Sequence, residues 1–374
     1  MINLKNFREY FRNVKTEVEH NPYYCSVERV LLIVILGSIC GLDSVKKIHR
    51  WASNEKTKRF LSEHFGILTV PSYAQLVAIL GIIEPKSLNE CFMNWVASLL
   101  PETLKDLVVS MDGKTIRSTG KMSNCSETVH IVSAHVASLG ITIGQVSADA
   151  KSNEIPAFRD LIKLLDIEGC IVVADALNCQ KKTCAEIIGA GADYLLEAKG
   201  NQKALMDSIE EHIFGDDVNP EEMDYAETQE TNKGRLEVRR AIMSNNVDGI
   251  ANKDEWPSLS SIGAINRQAI RNGTISNEWH FYFSSRQLSA LELLNYARSE
   301  WSVETMHWLL DVHLREDFCR IEDENAQKNM NMLRKVALNI LTDYKKSLNL
   351  KSAISNLMLD CLVDSSMLLK ITGF

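Results

Sequence analysis

The sequence predicts a mixed α/β protein preceded by an all-helical segment, and three observations carry that prediction. Apolar positions fall at helical spacing up to about residue 100, short β-rich runs then follow in the order β-β-β-α-β-α-β, and a polar β-rich stretch precedes a helical C-terminal part. With 374 residues, 45% hydrophobic and 24% charged, the chain can build two or three packed units, and disorder or a fibre is excluded.

The helical segment spans 1–101. Its apolar run at 30–42 is about 13 residues long, short of the roughly 20 that a membrane helix needs, so a buried core helix is expected. No basic-then-apolar leader opens the chain, and a cytoplasmic protein without a membrane partner is the expectation. Val70-Pro71-Ser72 breaks the pattern, with Ser72 placed to cap the next helix. From residue 105 come Leu107-Val108-Val109-Ser110-Met111, then strands at 129–136 and 141–146 joined through Leu139-Gly140, which suggests an antiparallel meander. A helix at 154–165 leads to Cys170-Ile171-Val172-Val173-Ala174, apolar throughout as for a strand buried on both faces. A helix through 184–188 and the strand Tyr194-Leu195-Leu196 complete the series. This order is that of an RNase H-like mixed sheet, in which the first strand lies at the centre beside the fourth. An insertion at about 203–287, β-rich over 235–286, interrupts the domain as a subdomain. Ser289-Ala290-Leu291-Glu292 then resembles a capping box that opens a long helix. The expected domains are 1–101, 102–350 and a helical tail at 351–374.

Nine cysteines without one Cys-x-x-Cys pair speak against zinc ribbons and disulfide frameworks. The net charge of −8 would argue against a nucleic-acid partner, but ten acids between 207 and 230, with no Lys or Arg among them, account for it, and without them the chain carries +2. That acidic stretch is expected to be a solvated loop or helix. Basic clusters at 44–59 and 328–351 could face a phosphate backbone or be solvated helix faces.

The chemistry concentrates in carboxylates at strand ends. Asp112 follows the first strand and Asp175 the fourth; if those strands are neighbours, the two carboxylates meet. Either Asp alone would more simply close a turn. Together they could hold divalent cations that serve phosphoryl transfer, and hard oxygen ligands favour magnesium or manganese. A third carboxylate is available on a helix where Glu304, His307, Trp308 and Asp311 share one face. Gly113-Lys114-Thr115 is no Walker A loop, because Val108 stands where its first Gly is required.

Met111-Asp112-Gly113-Lys114-Thr115-Ile116-Arg117-Ser118, Lys151-Ser152-Asn153-Glu154-Ile155-Pro156, Asp175-Ala176 with Cys179-Gln180, Asp193-Tyr194 with Lys199-Gly200-Asn201-Gln202, Gly234-Arg235-Leu236-Glu237 and the segment 301–317 resemble, in order, the H-repeat-associated DDE transposases of bacterial insertion sequences. Val70-Pro71-Ser72 and Cys91-Phe92 with Trp95 resemble the helical domain associated with that family. The resemblance implies a metal-binding catalytic triad of Asp112, Asp175 and Glu304, two Mg2+ or Mn2+ ions, and DNA as partner, both element ends and target, engaged by a homo-oligomer. Lys114, Arg117, Lys199 and Arg235 lie in or beside the matched motifs as candidates for phosphate contacts, and His307 and Asp311 as secondary site residues. The implied reaction is hydrolysis at element ends followed by strand transfer. An RNase H-like nuclease that cuts without joining, and a catalytically inactive DNA-binding remnant, are the alternatives. Three positions depart from the family pattern: Glu300 and Lys233 stand where it tends to have His, and Thr305 where it tends to have Asn.

Overall fold

The computed structural model describes residues 2, 4–19, 25–101, 104–116, 129–148, 154–216, 218–232, 235–271 and 274–374. In chain order its helices and strands are α1 (Phe7–Phe11), α2 (Val27–Ile39), α3 (Val45–Ala52), α4 (Glu55–Phe65), α5 (Tyr73–Ile82), α6 (Pro85–Ala97), β1 (Val108–Thr115), β2 (His130–Val136), β3 (Ile141–Ala148), α7 (Glu154–Leu164), β4 (Ile171–Ala174), α8 (Lys181–Gly189), β5 (Asp193–Ala198), α9 (Lys203–Phe214), β6 (Met223–Asn232), β7 (Arg235–Ser244), β8 (Ser261–Arg271), β9 (Thr274–Ser284), α10 (Ala290–His313), α11 (Glu324–Ser347), α12 (Ile354–Val363) and α13 (Ser365–Thr372). By packing the chain forms two units, one of residues 1–102, 113–154 and 305–374, the other of 103–112 and 155–304.

In the first unit the apolar run at 30–36 does become a buried helix, α2, started by Ser26, whose side chain accepts from Arg29 N. Ser72 caps α5 with Gln75 in a complete capping box. The centre of this unit is α11, buried along 329–341, and its polar side chains are spent on neighbours rather than on solvent. Asn329 Nδ2 donates to Leu80 O at 2.8 Å and Ile83 O at 2.9 Å. Asn339 Oδ1 accepts from Thr142 N at 2.8 Å while its Nδ2 donates to Thr142 O at 2.7 Å, so one side chain closes the exposed edge of β3 as a strand would. Lys335 is 1% exposed and donates to Ser133 Oγ and Gln145 Oε1, both at 2.6 Å. The basic cluster at 328–351 is therefore not a phosphate-facing surface at Arg334 and Lys335, which are buried. The helices after residue 324 pack with the N-terminal helices, so the division by packing does not follow boundaries at 101 and 350.

In the second unit β1 pairs parallel with β4, Val108 opposite Ile171 through Met111 opposite Ala174, and β4 pairs parallel with β5. The first strand thus lies beside the fourth, as the sequence predicts. Strand order continues β5-β9-β8-β7-β6, all antiparallel. The β-rich insertion is therefore no separate subdomain: β9 joins the sheet at β5, Leu195 opposite Ser284. Both faces of β9 are covered there, Phe283 against Tyr194 and Trp256, and Tyr282 against the α10 side. The acidic stretch also differs from the expected solvated loop or helix. Its first part is α9, but 223–230 lie in β6, where two acids meet basic residues of β7: Glu227 reaches Arg240 Nε at 2.6 Å, and Glu230 lies 3.8 Å from Arg239.

Helix α10 begins where expected, with Ser289 N donating to Glu292 Oε2 at 2.8 Å and Glu292 N to Ser289 Oγ at 3.3 Å. Its first turns, Ala290, Leu293 and Leu294, pack on one face of the sheet over Val108, Ile171, Val173, Leu195, Ala241, Ile265 and Tyr282. Gly263 permits this approach. A Cβ there would meet Met243 Sδ at 2.6 Å, Leu293 Cδ2 at 2.7 Å and Ile242 O at 2.8 Å, and the last is backbone that cannot swing aside. Gly263→Val is expected to destabilise the fold by about 1–3 kcal/mol, read as a lower urea midpoint; an unchanged midpoint would show that α10 is not seated this tightly.

Candidate active site

Strand alternation decides which side chains share the α10 face. On β1 the series is Val108, Ser110, Asp112; on β4 it is Ile171, Val173, Asp175; on β5 it is Leu195, Glu197. The first members are core residues under α10. Each series reaches a carboxylate, Asp112 within β1, Asp175 just past β4 and Glu197 within β5, so the sheet face turns from apolar to acidic toward the C-terminal parts of its parallel strands. Continuing the β1/β4 register by one residue sets Asp112 opposite Asp175, at the strand spacing of about 4.8 Å. Above them α10 is pinned by Ser110, whose Oγ donates to Ser299 O at 2.5 Å and lies 3.2 Å from Ser302 Oγ. The next turn presents Glu300 and then Glu304, which is exposed.

Asp175 is held by its own turn: its carboxylate accepts from Leu177 N at 3.2 Å and Asn178 Nδ2 at 3.1 Å, capping a short 3₁₀ turn. Glu197, 5% exposed, takes His280 Nδ1 at 2.7 Å and Lys199 Nζ at 2.8 Å. Burial works to raise the pKa of Glu197, but these two hydrogen bonds outweigh it and hold it below the usual range. For Lys199, burial works downward, while the bond to Glu197 and the field of Glu197, Glu300 and Asp175 hold its pKa up. Glu300 goes the other way. Burial first, then Glu197 and Asp175, and less strongly Glu304, push it up to about 8 against the pull of Lys199. The shift carries its titration toward neutral pH and weakens the negative charge it would otherwise hold there.

Between the ordinary carboxylate range and about pH 8, the folded chain keeps a proton on Glu300 that the unfolded chain has released. Stability therefore falls as pH rises through that window. Glu300→Gln is expected to flatten the fall by about 1–3 kcal/mol between pH 5 and 8.5 in chelator-containing buffer, neighbours and solvent absorbing the rest. Parallel curves for the two proteins would contradict this assignment.

Farther along α10, Trp301 packs against the cross-strand pair Arg239 and Arg267, its ring centroid 5.3 Å from Arg239 Cζ and 4.6 Å from Arg267 Cζ. Glu197, His280 and the Trp301 contact with Arg239 and Arg267 escape sequence reasoning. The available signal is a charged residue placed at i+2 from an apolar strand position, as Glu197 is from Leu195.

The other expected residues are placed as follows. Lys114 belongs to the first unit, where its Nζ contacts Asp311 at 2.5 Å and the fully buried Glu316 at 3.0 Å. Asp311 is thus an ion-pair partner, and His307 is 9% exposed on the same helix. Lys199 keeps a side chain 55% exposed. Arg117 and Lys233 lie outside the described residues, as does the side chain of Arg235. Among the described residues no three His, Cys, Asp or Glu side chains converge closely enough to hold a metal ion, and no helix is long and apolar enough to cross a membrane.

The model of the transposase DDE domain matches residues 103–340, and that of the domain associated with it matches 9–96. Among curated proteins the chain is 32% identical over 336 residues to "H repeat-associated putative transposase YhhI" of Escherichia coli K12, covering 88% of this chain and 87% of that one. It is 32% identical, with the same coverage, to the K12 protein YbfL. Among solved structures, the piggyBac transposase synaptic complex with hairpin DNA matches at a TM-score of 0.49 with 8% identity, over 97% of this chain and 75% of that chain.

Proposed function

The chain belongs to the transposase DDE domain family, and on that premise we propose that it is a DNA transposase whose reacting carboxylates are Asp112, Asp175 and Glu304. The observation that carries this reading is the acidic end of one sheet face: Asp112 and Asp175 follow paired positions of adjacent parallel strands, with Glu304 on the helix that packs over that face. The fold assignment proposed with it is an RNase H-like core, supported by the β1-β4-β5 parallel series and the antiparallel β2/β3 pair.

The donors are carboxylate oxygens, the type that a hard divalent cation takes, although among the described residues they do not converge on one point without it. Asp112, Asp175 and Glu304 would hold Mg2+ or Mn2+, as two ions, and bound metal would supply charge stabilisation for the attacking and leaving oxygens. The chain's own residues do the rest. Ser110 fixes α10 and with it Glu304; Asn178 and Leu177 N orient Asp175; Glu197 holds Lys199, which keeps a positive group at the rim for a phosphate.

The proposed reaction is hydrolysis of a phosphodiester at an element end, followed by attack of the freed 3′-hydroxyl on target DNA, with copies of the chain assembled on paired ends in the cytoplasm. The test is incubation of the protein with DNA carrying the flanking element ends in magnesium or manganese, with products sized on a denaturing gel. Cut ends and joined products together support the proposal; cutting without joining would leave a nuclease, and binding with neither would leave an inactive remnant.

A further inference from the structure

Within the first unit a cleft of about 350 Å³ opens between the start of α3 and the segment joining α10 to α11. Its lining joins Lys46 and Lys47 to Arg315, Arg320 and Arg334, with Asp43 the acidic member. Asp43 is already neutralised by Lys47 at 2.7 Å, and its carbonyl takes Arg334 Nη2 at 3.0 Å. Two exposed aromatic residues line this cleft: Phe318 is 65% exposed and Tyr73 46%. The Arg315 guanidinium lies over the Phe318 ring, 4.8 Å from its centroid. Arg315 is held at φ +48°, a left-handed conformation that a non-glycine residue adopts at a cost.

Cations track a phosphate backbone, and an exposed aromatic ring capped by a guanidinium offers a stacking platform for a base whose own face is free. Duplex DNA hides its base faces, and the cleft is at the small end of ligand sites, the scale of one nucleotide. We propose that this cleft binds an unpaired nucleotide of a DNA strand, the base stacking on Phe318 and the flanking phosphates meeting Lys46, Arg320 and Arg315. The proposal deepens the transposase reading and rests on it for the identity of the nucleic acid.

The test measures fluorescence anisotropy of the full chain with a labelled oligothymidine strand and with a duplex of equal length, for native protein, Phe318→Ala, Lys46→Gln and Arg320→Gln, alongside element-end cleavage. Phe318 is mostly exposed, so its truncation leaves the core intact. Phe318→Ala is expected to weaken single-strand binding about 5-fold to 100-fold and to leave duplex affinity within about twofold. Lys46→Gln and Arg320→Gln are each expected to lower the log–log salt slope for the single strand by about 0.7. Unchanged single-strand affinity in Phe318→Ala, or equal losses on strand and duplex, overturns the cleft proposal even if the native protein cleaves. Selective loss in Phe318→Ala supports the cleft, and absence of cleavage in the native protein would then count against the transposase reading alone.

Discussion

Asp175→Asn is expected to reduce element-end cleavage by on the order of 10²–10³ or more while leaving the fold intact. Asparagine keeps a side-chain oxygen that can accept from Leu177 N, so the cap on the 3₁₀ turn after β4 persists. What disappears is the negative charge opposite Asp112. Asp175→Ala removes both, and should add about 1 kcal/mol of destabilisation to the same catalytic loss. Cleavage rates and urea midpoints for the two variants separate the roles. Equal midpoints would show that the cap contributes little, and a cleavage rate within tenfold of native in Asp175→Asn would remove this residue from the reacting set.

Glu316→Ala is expected to be the most destabilising single change, by about 3–5 kcal/mol at pH 7, because it leaves buried partners uncompensated. Glu316 is 0% exposed; one oxygen takes Lys114 Nζ at 3.0 Å and the other Asn331 Nδ2 at 2.5 Å. Burial works to raise its pKa, yet Lys114, Lys335 and Arg334 outweigh that and hold it below the usual carboxylate range. A depressed folded pKa means that the stabilisation is present above the ordinary carboxylate range and is lost as pH falls below it. The difference between native and Glu316→Ala midpoints should therefore hold from pH 7 down to about pH 4 and shrink only below the ordinary carboxylate range. A difference that is small at pH 7, or that grows in acid, would show that the Lys114–Glu316 pair is not the source.

The pair also shows where sequence reasoning stops. Asp112 and Asp175 are legible because each follows an apolar run, and a strand order places those runs side by side; that β1 continues past Asp112 to Thr115 is not legible. Lys114, two residues beyond Asp112, looks from sequence like a phosphate ligand, but residues about 200 positions away supply its partners. The same holds for α11, whose Asn329, Lys335 and Asn339 belong to a polar helix pattern that is buried because these side chains find partners at α5, β2 and β3. The acids of β6 look solvated for the same reason: strand pairing with Arg239 and Arg240 is not visible in a charge count. Glu197 and Glu300 were missed as a pair because what joins them is the α10 face of the sheet.

The most direct test of that face is a double-variant cycle on cleavage. Residues that act as one unit are non-additive, so Asp112→Asn with Glu304→Gln should cleave no more slowly than the slower single variant. Losses that multiply would contradict a shared site and leave the carboxylates of β1 and α10 with separate roles.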